Sequence, residues 1–318
     1  MRRILVTGGA GYLGSILCRR LLDRGASVRC LDTLYFGAEP VADLRSEPRF
    51  ELVRGNIVEL GEHPDLLEGI DGVIHLAGLA NDPSCDLEPE MTELANYRAV
   101  IELAERALEA SARRFVFASS CSVYGEGGSL ALDEEAPLRP VSLYAESKVR
   151  AERALLRLVE RGLEPVLLRQ ATLFGVSPRM RFDLAINLMT LHALTRGRVY
   201  VLGGGEQWRP FLHVGDAADA FLRALEAPAQ RVAGQIFNVG SDAENYQIRD
   251  LAEQVVERVP GAELELAPGD ADRRSYNVAF EKIASLLEWT ASRSAAAGIE
   301  EIVEGHRRDA FPDPDHPR

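Results

Sequence analysis

Three glycines, Gly8, Gly11 and Gly14, stand between a short apolar run and a helix-like stretch, and that order admits few folds. Ile4, Leu5 and Val6 dominate the run from Arg3 to Thr7, which reads as a buried parallel strand. Residues 15–24 carry helical periodicity through Ile16, Leu17, Leu21 and Leu22, and Gly25 closes the helix as a C-cap. In such a unit the first glycine makes the tight turn, and the second lets the backbone approach a pyrophosphate. The third lets the helix pack on the strand. Tyr12 and Leu13 then stand at the helix N-terminus, whose unpaired N–H groups suit phosphates. A second strand, 27–31, ends at Asp32, the distance at which an acid takes the ribose hydroxyls of a dinucleotide. Its carboxylate would repel a 2′-phosphate, so NAD is expected over NADP. Arg29 lies inside that strand and is not set as a phosphate clamp.

Further apolar runs at 50–53, 72–76, 114–118 and 164–168 alternate with helical stretches, of which 87–110 and 142–161 are the longest. Alternation of this kind predicts an α/β chain with a doubly wound parallel sheet. Ligands then lie at the carboxyl ends of the strands, so the segments after 7, 31, 76, 118 and 169 should face one cleft. After Arg169 the rhythm loosens, with a helix near 182–195 and short strands near 199–202 and 235–239. The expected organisation is a dinucleotide-binding domain over 1–175, its sheet completed by segments around 211–240. Residues 176–318 are expected to form mainly a smaller α/β substrate lobe, interleaved with it. The net charge of −13 argues against nucleic acid and anionic membranes as partners. Cys18, Cys30, Cys85 and Cys121 show no paired spacing, which reads as a reduced cytoplasmic protein, and no metal site is expected. No apolar stretch approaches a membrane span. The tail after Asp309, with three prolines, reads as disordered.

Tyr144 and Lys148 stand four apart in a chain nearly devoid of lysine. Lysine occurs only there and at Lys282, so 34 of the 36 basic residues are arginine. Arginine does not replace a compact ammonium on a flexible stem. Four residues make one helical turn, so both side chains share a face. An ammonium beside a phenol lowers its pKa from about 10 and makes a base usable near neutral pH. Chance would supply about 0.05 such pairs at these residue counts. The competing reading, an exposed pair that does nothing, loses weight beside the glycine turn.

With Gly8 to Gly14, Asp32, Tyr144 and Lys148 in one chain, the sequence resembles the extended short-chain dehydrogenase/reductases, the nucleotide-sugar epimerase and dehydratase group, over nearly its whole length. The resemblance implies a Rossmann domain, NAD as cofactor and a nucleoside diphosphate sugar as substrate. It also implies a homodimer, in which helices 87–110 and 142–161, apolar on more than one face, pair across a two-fold axis. His75-Leu76-Ala77-Gly78 looks like the family's loop beneath the cofactor, and Asn96 matches its active-site asparagine. Ser119 to Gly125 matches the segment of the catalytic hydroxyl, which would be Ser120, with Ser122 as runner-up. In Trp208 to Val214, Arg209 falls where the family binds a phosphate, and Asn187 supplies an amide by its position. His75 and His213 read as packed strand-end histidines, and Cys121 as a buried inert thiol.

Departures gather on the substrate side. Asn56, followed by Ile57, stands where the family places an aspartate near the adenine. Leu79-Ala80-Asn81-Asp82 lacks the lysine of UDP-galactose 4-epimerases. The second sugar-side arginine would fall near Ala267, so Arg273 or Arg274 is expected to replace it. Thr172 stands where many members have asparagine, and Ser177 to Asp183 adds Arg179 and Arg181 to the sugar side. The resemblance implies an epimerase that oxidises a sugar hydroxyl, expected at C4, to a transient keto intermediate and returns the hydride. A 4-dehydrogenase, ketoreductase, 4,6-dehydratase or decarboxylase is the alternative, and a silent NAD-binding sensor the competing class.

Overall fold

The computed structural model describes residues 2–269, 272 and 274–311. Its first half alternates strand and helix as the apolar runs require. β1 is Arg3–Thr7, α1 Gly14–Asp23, β2 Ser27–Asp32, β3 Phe50–Arg54 and β4 Gly72–His75. The predicted helix at 87–110 is divided. It comprises α2 (Asp82–Leu87), α3 (Pro89–Glu93), a π-helical turn over Leu94–Arg98 and α4 (Ala99–Glu109). Pro89 sits at the first position of α3 and forces Glu88 out of helical geometry (φ −127°, ψ 66°), which is where the break falls. β5 (Arg114–Ser120), β6 (Glu126–Leu132), α5 (Leu143–Arg157), β7 (Glu164–Gln170) and β8 (Thr172–Phe174) follow. Ser142 caps α5 by accepting a hydrogen bond from the Ala145 N–H.

The later elements are α6 (Ala185–Arg196), β9 (Arg198–Leu202), β10 (Trp208–His213), α7 (Val214–Glu226), α8 (Ala229–Val232), β11 (Gln235–Val239), β12 (Asn245–Gln247) and α9 (Ile248–Arg258). β13 (Glu263–Ala267), β14 (Ser275–Val278), α10 (Glu281–Leu287) and α11 (Ala295–Arg307) complete the described chain.

Seven strands form one parallel sheet in the order β11-β7-β5-β4-β1-β2-β3, so the chain winds outward in both directions from β1 and β4. β11 closes the edge beyond β7, and α7 packs in the core under that sheet. β10 is not part of it; it lies between β12 and β8 in a separate three-stranded sheet. Two apolar layers cover the large sheet, one under α1 and α7 and one under α4 and α5. A third core, from Phe174 and Ile186 through Leu251 to Ile302, belongs to the C-terminal elements. Phe311 joins that core, edge-on against Phe182, although the tail from Asp309 reads as disordered in sequence. Residues 312–318 of that tail lie outside the described residues.

Much of the apolar excess on the two long helical segments is covered within the chain. Val100, Leu103, Val149, Leu155 and Leu158 are buried under the sheet, whereas Leu94 and Val159 remain exposed.

Candidate active site

The parallel register brings the carboxyl ends of β1, β2, β4, β5 and β7 to one edge of the sheet. Gly8 takes φ +73°, and a Cβ there would stand 2.9 Å from the Ala77 nitrogen, so the loop after β4 packs directly on this turn. A Cβ on Gly14 would stand 2.2 Å from the Gly8 oxygen, which is why helix and strand close only on glycine. Gly11 differs: only the Gly8 oxygen lies within 4 Å of its Cβ position, so its face stays open. α1 has no side-chain cap at Leu13 and no acid in its first turn, which leaves its N–H groups and dipole to an anion. Asp32 accepts from the Ala10 and Leu34 N–H groups (3.0 and 2.9 Å) and is fixed at the rim. An open glycine face, an uncapped helix and a fixed carboxylate fit a dinucleotide. Arg29 is spent on Glu51 and the Asp65 and Leu66 carbonyls. Asn56 caps the turn after β3 by accepting from the Val58 N–H, and the Ile57 side chain is buried in the core, so Ile57 can offer only its backbone to an adenine.

The hydroxyl, phenol and ammonium singled out in sequence come together. Ser120 ends β5, and its hydroxyl bonds to the Tyr144 phenol. Lys148, buried on α5, donates to the Ala118 carbonyl (2.9 Å) and lies 5.5 Å from the Tyr144 ring centre. The expected lowering of the phenol by Lys148 is not what the chain's own groups produce. Burial drives Tyr144 up to about 12, against the opposing charge of Arg181 and the Ser120 bond. Burial likewise draws Lys148 down to about 8. Ser122 is buried, and its Oγ has no partner among the described residues. Cys121 donates to the Arg169 carbonyl, and burial holds the thiol well above its ordinary range.

Asn96 lies in the π-helical turn, a device frequent at functional sites. It is buried, accepting from the Leu79 N–H (2.8 Å) and donating to the Leu79 carbonyl (3.0 Å). It therefore holds the loop of Leu76, Ala77 and Gly78 in place, and a Cβ on Gly78 would meet its Oδ1 at 2.5 Å. His75 packs flat on Phe117 with Nδ1 against Thr7 Oγ1 (2.8 Å). Sequence reading missed Gln170, whose Nε2 reaches the Ser119 carbonyl while its buried Oε1 has no partner among the described residues; nothing in the local pattern marks it.

The expected sugar-side residues divide. Arg209 is buried, bonding to Asp272 (2.9 Å) and the Trp208 carbonyl, with its guanidinium 4.9 Å from the Tyr276 ring centre. Arg274 pairs with Asp272 and with Asp82, and Ser142 donates to the same Asp82 (2.6 Å). These contacts join the 272–274 segment to the start of α2 and the cap of α5. Asp82 and Asp272 were not read from sequence as partners, since Asp82 meets Arg274 from 192 residues away along the chain and Asp272 meets Arg209 from 63. Arg273 lies outside the described residues. Thr172 pairs with Phe211 in the small sheet and is half-buried. Asn187 is fully buried, donating to Tyr12 Oη and the Arg181 carbonyl and accepting from the Gly175 N–H. Arg179 stacks on Phe36 in the loop after β2 (3.9 Å).

A glycine cradle thus lies beside a serine–tyrosine–lysine cluster on a doubly wound sheet. The chain belongs to the NAD dependent epimerase/dehydratase family, whose model matches residues 4–240. A UDP-glucose 4-epimerase of Mycolicibacterium smegmatis is 32% identical, over 96% of this chain and 98% of its own length. UDP-glucuronic acid decarboxylase 2 of Arabidopsis thaliana is also 32% identical, over 98% of this chain and 69% of its own. The solved structure of MoeE5 in complex with UDP-glucose and NAD superposes with a TM-score of 0.83 at 29% identity, covering 97% of this chain and all of that one. NAD is the cofactor of this family, and the fold here is that of its solved members. No helix among the described residues is long and apolar enough to cross a membrane.

His75 gives the site a pH signature. Burial, helped by the charge of Lys148, holds the folded imidazole down to about 3, below its ordinary 6.5. The unfolded chain therefore takes up the proton first, so stability is full above pH 6.5 and is lost as the pH falls toward 3. Between those values the histidine contributes a slope of up to about 1.4 kcal/mol per pH unit. His75→Gln should flatten the stability–pH curve by that slope in urea melts between pH 7 and 4. Parallel curves for variant and wild type would refute a buried neutral His75.

Proposed function

We propose that the protein is an NAD-dependent nucleotide-sugar epimerase, oxidising a sugar hydroxyl at C4 to a transient ketone and returning the hydride to the other face. The observation that carries this reading is the convergence of Ser120, Tyr144 and Lys148, followed by Cys121 and Ser122 instead of an acid pair. Tyr144 takes the proton of the sugar hydroxyl, and Ser120 donates to the same oxygen. Lys148 stands where it can hold a ribose and favour the phenolate. Bound NAD supplies the hydride acceptor and donor. A 4,6-dehydratase would need an acid–base pair at the sugar, and Asp82, whose charge reaches Tyr144, is tied to Ser142 and Arg274. Decarboxylation of a UDP-uronic acid is the second reading. It is favoured by the Arabidopsis relative and by MoeE5, which was also solved with UDP-glucuronic acid and NAD. A silent sensor would have no use for the relay.

In a chain of net charge −13 a sugar pyrophosphate needs local cations. Arg209 and Arg274 supply them in the lobe formed by the residues from 176 on, once the substrate's phosphates displace Asp272. Two chains pair through the helical segment where Leu87, Met91 and Leu94 stay exposed.

Tyr144→Phe should keep the fold and NAD binding while lowering turnover of UDP-glucose about a hundredfold or more. Lys148→Arg should be similarly impaired, since a planar fork cannot replace the ammonium. Near wild-type turnover in either variant would sink the relay.

Arg209→Ala should weaken UDP-glucose binding by about 1.5–3 kcal/mol, the range for bonds to charged groups, and leave NAD affinity alone. Calorimetry with each ligand decides this, and an equal loss for both would move the sugar pocket elsewhere. Light scattering at micromolar concentration should give the mass of two chains; one chain's mass would refute the pairing.

A further inference from the structure

The sheet order sets β1 between β2 and β4, so the glycine turn lies in a groove with two banks. The loop after β2 carries Phe36 on one bank, and the loop after β4 carries Ala80 and Asn81 on the other. Residues 177–183 reach both. On the first bank the Arg179 guanidinium lies 3.9 Å from the Phe36 ring centre. On the second, Arg181 donates to the Ala80 carbonyl (3.1 Å), and Asn81 donates to Asp183 (3.3 Å), which pairs with Arg181. The segment therefore reaches from one bank to the other.

Its ends are fastened to the glycine turn by buried bonds. Ser177 donates to the Tyr12 carbonyl (2.6 Å) and meets Ser15 Oγ (3.2 Å). Tyr12 Oη donates to the Gly175 carbonyl (2.6 Å). Asn187 ties Gly175, Tyr12 and the Arg181 carbonyl together. These bonds anchor a segment carrying two arginines to Tyr12 and Ser15, beside the glycine turn.

We propose that residues 177–183 are a strap closing the NAD groove, in which Arg179 and Arg181 face the cofactor pyrophosphate and keep NAD bound from one turnover to the next. Two guanidinium groups match the two charges of a pyrophosphate and form strong charge-assisted hydrogen bonds with it. The charge of Arg181 is also felt by Tyr12 and Tyr144, which flank the groove at its centre and at its reactive end. A retained cofactor suits a reaction that takes a hydride and gives it back. This inference rests on NAD being the cofactor and not on the choice between epimerase and decarboxylase.

The test loads the protein with NAD, adds an excess of isotopically labelled NAD, and follows exchange by mass spectrometry of the bound nucleotide. Arg179→Ala and Arg181→Ala should each speed exchange about tenfold or more, and Arg179→Lys should restore part of the retention. Phe36→Ala removes the platform under Arg179 through an exposed ring, so it reports on the strap even if an arginine variant folds poorly. Adenosine, which has no phosphate, should bind variants and wild type alike in calorimetry. Unchanged exchange would overturn the strap, and so would equal losses for adenosine and NAD, which would mark a distorted groove. Loss of UDP-glucose binding with NAD exchange unchanged would return the arginines to the sugar and also overturn it. An inactive protein that still shows strap-dependent exchange would count against the epimerase reading alone.

Discussion

The geometry of the site depends on one buried ion pair. Glu152 and Arg169 are almost wholly excluded from solvent and meet through two parallel contacts, at 2.8 and 3.0 Å. Glu152 lies on α5 one turn beyond Lys148, and Arg169 lies on β7 beside the end of β5. Ser119 donates to the same carboxylate, while Arg169 also reaches Tyr124 Oη (3.0 Å) and the Glu134 carbonyl (3.2 Å). Desolvating two charges costs about as much as their attraction returns, so such a pair adds little net stability. What it fixes is register. α5 can slide along the sheet only by breaking bonds at both ends of the network, and that register sets Tyr144 against Ser120.

The parts of the site that sequence made legible are those whose chemistry is local. Gly8, Gly11 and Gly14 constrain the backbone within one turn, and Asp32 follows one strand later. Tyr144 and Lys148 share a helix face by spacing alone. The structure keeps all of these together because nothing distant is needed to define them. Asn187 and Asn96 went the other way. A family position marks them as polar and near the site, but it does not distinguish contact with a ligand from support of a loop. Both are buried, and their amides hold backbone groups of the loops beside the glycine turn.

The remaining differences between pattern and structure have separate causes. Pro89 gave a readable local signal that the long helical stretch must break, and amphipathic periodicity running through it concealed the break. The exposed apolar surface of that stretch is correspondingly smaller than the pattern suggested, because the π-helical turn rotates Asn96 inward and α4 buries more of its surface under the sheet. Arg179 and Arg181 stand two residues apart in a loop, where no periodicity says which way either points. Only the order of the strands, with β1 between β2 and β4, puts their two contacts on opposite banks of one groove.

Electrostatics then link the groove to the relay. The chain's own field leaves Tyr144 a poor base, because burial raises it to about 12 and the Asp82 and Cys85 neighbours push the same way. Arg181 is the largest opposing influence, ahead of the Ser120 bond. Lys148, which its own burial draws down to about 8, is still mostly protonated near neutral pH. A phenol at such a value gains its basicity when positive charge is held beside it, and the arginine that best meets that need also bridges the bank after β4. The same few ångströms of loop that reach both banks beside the glycine turn therefore also bear on the proton relay, through the charge of Arg181.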